Sequence, residues 1–252
     1  MSAPVFLAEP GSLADVAAGG TFVLDGAEGR HAGVVQRRGP GERVDVVDGA
    51  GVRLCGVVGE VTPAGVLVHV QQRVDEPAPA VALVLVQALA KGDRDELAIE
   101  AATEVGVDVV VPWQAERSIV VWRGERAAKS RARWLGTVRA AAKQSRRARV
   151  PAVEVAVDDR GLVERVRAVV ADGGAALVLH EAATEPLAAA TLPGAGQCLV
   201  VVGPEGGISD AELARLVEAG ARAVRLGPHV LRTSTAGPVA LAMLAERLGR
   251  WS

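Results

Sequence analysis

The chain has 252 residues, enough for one large domain or two small ones, and half of its residues are apolar. Its net charge of −2 gives by itself no hint of a nucleic-acid partner, and the two cysteines, Cys55 and Cys198, exclude a disulfide framework or a metal quartet. Met1–Leu7 lacks the pattern of a signal peptide and no apolar run is long enough to span a bilayer, so we expect a cytoplasmic protein without a membrane partner.

The first 73 residues read as rich in β-strands. Short β-branched runs bounded by Gly, Pro and Asp predict strands at Thr21–Leu24, Arg43–Val47, Val52–Val58 and Val66–Val70. Regular short strands with turns indicate a small barrel, so we predict a β-barrel domain over residues 1–73. The acidic, proline-containing segment 74–80 predicts a semi-rigid linker.

A basic segment lies between the first two of these predicted strands. It carries Arg30, His31, Arg37 and Arg38. The segment is either a short helix that presents cations or a solvated connector, and its spacing alone favours the connector.

From Val81 onward the pattern changes to alternating strands and helices. Apolar runs predict strands at Val81–Val86, Val107–Val111, Val153–Val157, Ala176–Leu179, Leu199–Val202 and Ala223–Leu226. Helices are predicted between them, including Asp93–Val105 and Asp159–Ala171. Residues 81–252 therefore predict an α/β domain, a parallel sheet with helices on both faces.

Two helices of this domain carry unusual charge patterns. The helix Asp93–Val105 is expected to bury Leu97, Ala101 and Val105, while a second face stacks the acidic residues Glu96, Glu100 and Glu104. These acids form either a solvated face or a partner for the basic segment that follows.

That basic segment, Arg123–Arg149, contains ten Arg and Lys residues and a single acid, Glu125. An apolar stripe at helical spacing makes it an amphipathic helix; its members are Trp134, Leu135, Val138, Ala141 and Ala142. Contact with phosphates is the favoured interpretation, with a membrane surface as the alternative.

Two glycine-containing loops follow predicted strands near the C-terminus, Gly203–Gly207 (GPEGG) and Leu226–Thr233 (LGPHVLRT). The first leads into a helix that Ser209 and Glu212 start as a capping box. The second leads into a helix with Pro238 expected in its first turn. Loops at the carboxyl ends of parallel strands are where open α/β sheets bind ligands.

Several common chemistries are not indicated by these loops. Gly203–Gly207 has neither the Gly-Lys-Ser/Thr of a nucleotide-binding P-loop nor the glycine spacing of a dinucleotide fingerprint. The four histidines are scattered and no His-Glu-x-x-His or Gly-x-Ser-x-Gly motif occurs, so we expect no metal site and no hydrolase centre.

The two loops together resemble the C-terminal signatures of the ribosomal small-subunit RNA uridine-N3 methyltransferase family (RsmE) of the SPOUT superfamily. Further segments, which precede the two loops, also resemble the family and occur in the same order along the chain. They are Lys91 and Arg94, Thr103–Val107, Arg117–Ser118, Ala142–Arg146 and Pro151. The segment with His31 and Gly41–Val44 is similar to the RNA-binding PUA-like barrel of the family. Where the family usually has Glu, this chain has Ser234.

The resemblance implies a deep trefoil knot in the α/β domain and a homodimer with the substrate site at its interface. It implies methylation of N3 of a uridine in 16S rRNA (uridine 1498 type) of the 30S subunit, with S-adenosylmethionine as cofactor. The implied cofactor contacts are Leu179, His180, Gly203, Glu205, Gly206, Leu226, Gly227 and Leu231. The implied RNA contacts are Arg30, His31, Arg37, Arg38, Lys91, Arg94, Arg117, Lys143, Arg146 and Arg147.

For this reaction the implied catalytic residues are Arg232 and Glu205. Arg232 would stabilise the N3 anion of uracil, whereas Glu205 would be a base or a residue that orients the cofactor. A structural role for Arg232, pairing with Glu205 or capping helix carbonyls, stays open. Two other functions are weighed against the enzyme: a non-catalytic RNA-binding assembly factor, and an NTP-using enzyme, which the missing P-loop lysine disfavours.

Overall fold

The computed structural model describes residues 3–251 as two compact units. Met1, Ser2 and Ser252, the outer ends of the predicted domains, lie outside the described residues. The first unit comprises the residues up to Ala78 together with Ala142–Val150, and the second comprises Pro79–Ala141 with the residues from Pro151 onward. The sequence analysis had placed Arg123–Arg149 in one basic helix of the α/β domain, whereas the end of that segment, Ala142–Arg149, belongs to the first unit.

The first unit contains a five-stranded sheet. Its strands are β1 Val5–Leu7, β2 Thr21–Leu24, β3 Arg43–Val47, β4 Val52–Thr62 and β5 Gly65–Asp75, in the order β1-β3-β4-β5-β2. β1 runs parallel to β3 and the other pairs are antiparallel. Alternate residues of β5, Val66, Val68 and Val70, are buried. The strand β5 includes Val74 and Asp75, which the sequence patterns placed in the linker.

The basic segment after β2 is helical, so the interpretation as a solvated connector was wrong. Helix α1 spans Gly26–Arg30 and a π-helix spans His31–Val35. The segment is packed: Ala32 is fully buried, and a Cβ on Gly29 would lie 2.2 Å from the carbonyl oxygen of Leu24. Because the backbone approaches so closely there, only glycine fits, and this contact is invisible in the charge pattern.

The second unit is built on a six-stranded, entirely parallel sheet. Its strands are β6 Val81–Ala88, β7 Val109–Trp113, β8 Ala152–Val153, β9 Ala175–Leu179, β10 Gly196–Val202 and β11 Arg222–Val224. They follow the order β11-β9-β10-β6-β7-β8. The uncharged runs of β6 and β10 form the central pair, as expected for strands buried on both faces. The predicted α/β architecture with a parallel sheet is confirmed.

Five α-helices accompany this sheet along the chain. They are α2 Arg94–Glu104, α3 Glu125–Gln144, α4 Asp159–Ala171, α5 Asp210–Glu218 and α6 Thr233–Arg247. The capping box of α5 is present, because Glu212 N–H donates to Ser209 Oγ over 3.2 Å and Ser209 N–H donates to Glu212 Oε2 over 2.8 Å. None of the helices within residues 3–251 has the length and apolar character needed to cross a membrane.

Helix α2 buries a different face from the one predicted. Ala98, Ile99 and Ala102 are fully buried, whereas Leu97 is 55% exposed. Successive residues are about 100° apart on a helix, so the prediction was rotated by about one residue. On the acidic side, Glu96 forms an ion pair with Arg133 of α3, so the basic helix is the partner of this acid.

Helix α3 confirms the amphipathic prediction and ends at Gln144, earlier than Arg149. Trp134, Val138 and Ala142 of its apolar stripe are fully buried. The chain leaves the helix through Arg146, whose φ of 59° belongs to the left-handed region.

The last helix, α6, lies close against the central strands. A Cβ on Gly237 would stand 2.9 Å from Leu85 Cδ1 of β6, so a larger residue would push the helix away. Pro238 is the sixth residue of α6. The prediction that it lies in the first turn of this helix was therefore wrong. Pro238 is buried, and lacking an N–H it leaves the Ser234 carbonyl without its usual helical donor.

Candidate active site

A cavity of about 790 Å³ opens at the carboxyl ends of β9, β10 and β11 in the second unit. This is the edge of a parallel sheet where ligands are expected, and the volume suits a small molecule. The lining includes all eight residues proposed from the sequence for the cofactor: Leu179, His180, Gly203, Glu205, Gly206, Leu226, Gly227 and Leu231.

The first loop, Gly203–Gly207, is a tight turn that needs its glycines. A Cβ on Gly203 would lie 2.7 Å from Ile208 Cγ1, so the loop leaves no room for a side chain there. Gly207 has a φ of 74° and donates its N–H to the carbonyl of Pro204 over 2.9 Å. The fold of the loop therefore depends on small residues, and all five of its residues line the cavity.

The second loop, Leu226–Arg232, has a different kind of glycine. Gly227 lines the cavity, yet a Cβ built on it would meet no other atom within 4 Å. Neither internal packing nor a left-handed φ requires glycine at this position. The open space next to Gly227 is therefore available to a ligand.

Thr233 joins the two loops. Its hydroxyl donates to the carbonyl oxygen of Gly203 over 2.8 Å and accepts from Gln87 Nε2 over 3.0 Å. Gln87, fully buried near the end of β6, thus fixes Thr233 from the sheet side. The sequence analysis named Thr233 only as the end of the second loop and overlooked Gln87, although a lone amide after an uncharged run was a usable signal.

Glu205 is held by basic residues that had been assigned to RNA. Arg94 Nη1 donates to Glu205 Oε1 over 2.7 Å, and the backbone N–H of Lys91 donates to the same oxygen over 3.3 Å. Burial acts to raise the pKa of Glu205. Hydrogen bonds from its own backbone N–H, from the Arg94 side chain and from the Lys91 backbone N–H outweigh burial, so the pKa lies below its usual value. Glu205 is therefore an anion at neutral pH and a weak proton acceptor.

Arg117 holds the same loop from another side. Its Nη1 donates to the carbonyl oxygen of Gly206 over 2.9 Å, and its side chain covers Gly206 closely. Arg94 and Arg117 both line the cavity, so two cations attach the first loop to the segments that follow β6 and β7.

Arg232 lies on the cavity lining, directly before the first residue of α6. It is exposed, and within residues 3–251 no hydrogen bond or ion pair engages its guanidinium. Glu205 is paired with Arg94, and no Arg232–Glu205 pair is formed within residues 3–251. Arg232 is thus a cation available at the cavity surface.

The remaining cations proposed for RNA belong to the first unit. Arg30 and Arg37 are exposed, whereas Arg38 pairs with Glu42 at 3.2 Å. The ring of His31 lies 3.0 Å from the Gln36 amide and packs edge-on against Phe6.

Lys143, Arg146 and Arg147 differ in how freely they could meet a ligand. Lys143 Nζ donates to Glu28 Oε1 over 2.6 Å, and the Lys143 side chain is only 21% exposed. Arg146, in contrast, is exposed. Arg147 is partly buried and is engaged within the protein. Of these three, Arg146 is the most accessible.

No metal centre is found in the part of the chain that the structure describes: residues 3–251 contain no group of three or more His, Cys, Asp or Glu side chains that could hold a metal ion. The cavity lining offers backbone groups, arginines, the carboxylates of Glu181, Glu205 and Asp210, and the imidazoles of His180 and His229.

The chain matches a family model described as an RNA methyltransferase domain over residues 76–245. It is 48% identical over 233 residues to a ribosomal RNA small subunit methyltransferase E of Mycobacterium tuberculosis, covering 92% of this chain and 89% of that protein. The Bacillus subtilis protein of the same name is 35% identical over 164 residues, 62% of each chain.

Solved structures agree with this relationship. A ribosomal RNA small subunit methyltransferase E of Neisseria gonorrhoeae, bound to S-adenosyl methionine, has a TM-score of 0.84 at 28% identity and 98% coverage of both chains. A methyltransferase of Legionella pneumophila in complex with the same cofactor has a TM-score of 0.81 at 27% identity, with 98% of both chains covered. With the family model, the close relatives and these folds in agreement, the chain belongs to the ribosomal RNA small subunit methyltransferase E (RsmE) family.

Proposed function

We propose that this protein uses S-adenosylmethionine to methylate N3 of a uridine in 16S rRNA of the 30S subunit, at a site of the uridine 1498 type. The observation that carries the proposal is the cavity of about 790 Å³ lined by both signature loops, in a chain of this family. The relatives from N. gonorrhoeae and L. pneumophila were solved with S-adenosylmethionine bound. The reaction would take place in the cytoplasm.

The cofactor would bind against the eight cavity residues proposed from the sequence: Leu179, His180, Gly203, Glu205, Gly206, Leu226, Gly227 and Leu231. The cavity fits such a ligand, since open space lies next to Gly227 and the lining combines glycines with polar and charged groups. Polar groups in the lining suit adenine and ribose, which carry several donors and acceptors. When bound, the cofactor supplies an electrophilic methyl group on a sulfonium.

The chemical task left to the chain is to favour the N3 anion of uracil, whose proton passes to water, and to align N3 with the methyl group. Arg232 would stabilise the negative charge that delocalises onto O2 and O4 of the base. An arginine stays protonated at any working pH, so its role is electrostatic and orienting rather than that of a base. Glu205, whose pKa is lowered and which Arg94 holds, would position the first loop and the cofactor.

The assignment of Glu205 has its own test in Glu205→Gln, which keeps the size of the side chain and removes its charge. We expect S-adenosylmethionine to bind several-fold more weakly because the ion pair with Arg94 is lost, while kcat changes little and its pH profile keeps its shape. Calorimetry and turnover measurements across pH check this.

The matched control is Glu181→Gln, because Glu181 also lines the cavity and no hydrogen bond or ion pair holds its side chain within residues 3–251. A general base typically contributes about 10²- to 10⁴-fold to the rate. A kcat loss of that size in Glu205→Gln, with cofactor affinity unchanged, would make Glu205 the base and contradict the orienting role.

The finer architecture is also a proposal. Residues 1–73 would form a PUA-like RNA-binding barrel within the first unit, residues 74–80 a linker, and residues 81–252 a SPOUT domain, of which Ala142–Val150 groups with the first unit. The SPOUT domain would contain a deep trefoil knot and act as a homodimer with the substrate site at its interface. The hydrogen bonds of Thr233 to Gly203 and Gln87 bring the start of α6 onto the ends of β10 and β6. This return of the last helix to the two central strands supports the proposed knot.

The RNA contacts proposed from the sequence divide by their present partners. Arg30, Arg37 and Arg146 are exposed and remain candidates for direct phosphate contact. The side chains of Arg94 and Arg117 hold the first loop, so they would act on RNA only from the rim of the cavity. Lys91 meets the loop through its backbone N–H alone, and its exposed side chain remains a candidate for phosphate contact. His31, Arg38, Lys143 and Arg147 have partners inside the protein that RNA would have to displace.

The function is tested by mapping modified nucleotides in small-subunit rRNA from cells with and without this protein. We expect one N3-methyluridine to disappear on deletion and to return when the gene is restored. An unchanged modification map would overturn the proposed reaction. Calorimetry with S-adenosylmethionine separates the enzyme from the assembly factor, because a non-catalytic factor with an empty site would bind none.

A further inference from the structure

We propose that an RNA strand lies along the outer face of α3 and that its phosphates contact Arg123, Arg126, Lys129 and Arg139. The inference rests on the proposed function, which identifies RNA as the partner. It assigns the phosphate contacts of the basic segment to these four side chains. These four are called the outer cations below.

The outer cations differ from their neighbours in lacking partners. Arg131 donates to the carbonyl oxygens of Val153 and Glu154 at 2.6 to 3.2 Å, and Arg133 is paired with Glu96. In contrast, the outer cations are all exposed, and no hydrogen bond or ion pair within residues 3–251 engages their side chains. Charges that the protein leaves uncompensated are the ones that an external anion can meet.

Arg123 lies two residues before α3, and the positions of the other three on the helix indicate a single outward surface. Trp134 and Val138 mark the buried side of α3. At about 100° per residue, Lys129 and Arg139 project on the side opposite to these two, and Arg126 lies at its margin. From Arg126 to Arg139 the helix rises about 20 Å, a length over which one nucleic-acid strand carries about six phosphates.

The chemistry of this surface favours a phosphate backbone over a membrane. Several other outward positions of α3 are small, namely Ala132, Gly136 and Ala140, and all three are exposed; Glu125 at the start of the helix is an exposed acid. Such a surface has little apolar area to insert into lipid, whereas small side chains allow a polyanion to approach the helix closely.

The outer cations also begin near the cavity along the chain. Arg117 lines the cavity and lies six residues before Arg123. Six residues span at most about 20 Å, so a strand with one nucleotide in the cavity could reach the start of α3. Phosphate contacts carry no sequence information, so the outer cations would add affinity and set the path of the strand, while the cavity selects the base.

The test is the quadruple variant Arg123→Ala/Arg126→Ala/Lys129→Ala/Arg139→Ala. Alanine is the strongest helix former, so α3 should persist. Binding of a short single-stranded RNA is measured between about 50 and 200 mM salt, where each lost phosphate contact lowers the log–log salt slope by about 0.7. We expect a slope smaller by roughly 2 to 3 and an affinity loss of at least about tenfold, with unchanged affinity for S-adenosylmethionine.

The matched control removes two exposed cations of α4 in the same unit, Arg160→Ala/Arg167→Ala. It should leave both the slope and the affinity nearly unchanged. An unaltered slope in the quadruple variant, or an equal loss in the control, would overturn the proposed path. So would a variant that binds RNA normally but no longer binds vesicles of anionic phospholipid, since the face would then meet a membrane.

Failure of the path and failure of the proposed function give different results. If the unaltered protein binds RNA and transfers methyl groups but the quadruple variant matches it, only the path is wrong. If the unaltered protein binds no S-adenosylmethionine and modifies no rRNA, the proposed function fails, and a reduced salt slope would still show that the outer cations bind RNA.

Discussion

Gly227→Val should abolish S-adenosylmethionine binding while leaving the protein folded. The position lines the cavity, has no left-handed φ, and a Cβ there meets no other atom within 4 Å. The valine methyls would therefore occupy the space proposed for the cofactor without straining the protein. We expect calorimetry to detect at least about a hundredfold loss of affinity, since overlap with a bound ligand costs more than the roughly 2.7 kcal/mol that this factor represents.

The matched control is Gly194→Val, at another glycine with open space around its Cβ but outside the cavity lining. Both variants should unfold at nearly the temperature of the unaltered protein. Gly203→Val is a poorer probe, because a Cβ there would already stand 2.7 Å from Ile208 and would disturb the loop itself. Normal cofactor affinity in a folded Gly227→Val protein would remove the cofactor from this part of the cavity.

Arg232→Lys should keep the fold and the cofactor affinity but lose most of the turnover rate. The guanidinium has no partner within residues 3–251, so replacing it breaks no structural bond. Lysine retains the charge but offers a point charge instead of a planar fork, and a bidentate contact to the base would be lost. We expect kcat to fall by about 10²-fold, in the range observed when one electrostatic donor is removed from an active site.

The pH dependence identifies the cause of that loss. Uracil ionises at N3 as the pH rises, so the variant should recover part of its rate at alkaline pH, where less help is needed to form the anion. Arg225→Lys is the control, because Arg225 is also exposed and lines the cavity. Near-normal turnover of Arg232→Lys at neutral pH would exclude Arg232 from the mechanism.

The elements that the sequence predicted best are those with a strong local signal. The uncharged runs of β6 and β10 and the periodic α4 follow directly from residue patterns, and so does the capping box of α5. The buried face of α2 was predicted wrongly, because alanines occur on several of its sides and give no clear apolar stripe. The parallel sheet then brought the predicted loop residues to one edge.

What the sequence could not provide was the pairing of distant polar groups. Arg94 and Glu205 are 111 positions apart, and Gln87 and Thr233 are 146 positions apart. Each residue was ambiguous by itself. In a chain that resembles an RNA-modifying enzyme, a basic residue such as Arg94 is readily assigned to RNA contact. Only the fold shows that Arg94 is occupied by the first loop and that Arg232 is not.

The pairing of β6 with β10 also has a consequence for how the protein is made. Val81 is opposite Gly196, so the two central strands are separated by 115 positions in the chain. Closing such long loops is entropically costly and slow, which exposes apolar strands during synthesis. Because α6 contributes Thr233 to the cavity, the site is completed only after α6 has left the ribosome, and a nascent chain that still lacks α6 would depend on chaperones to avoid aggregation.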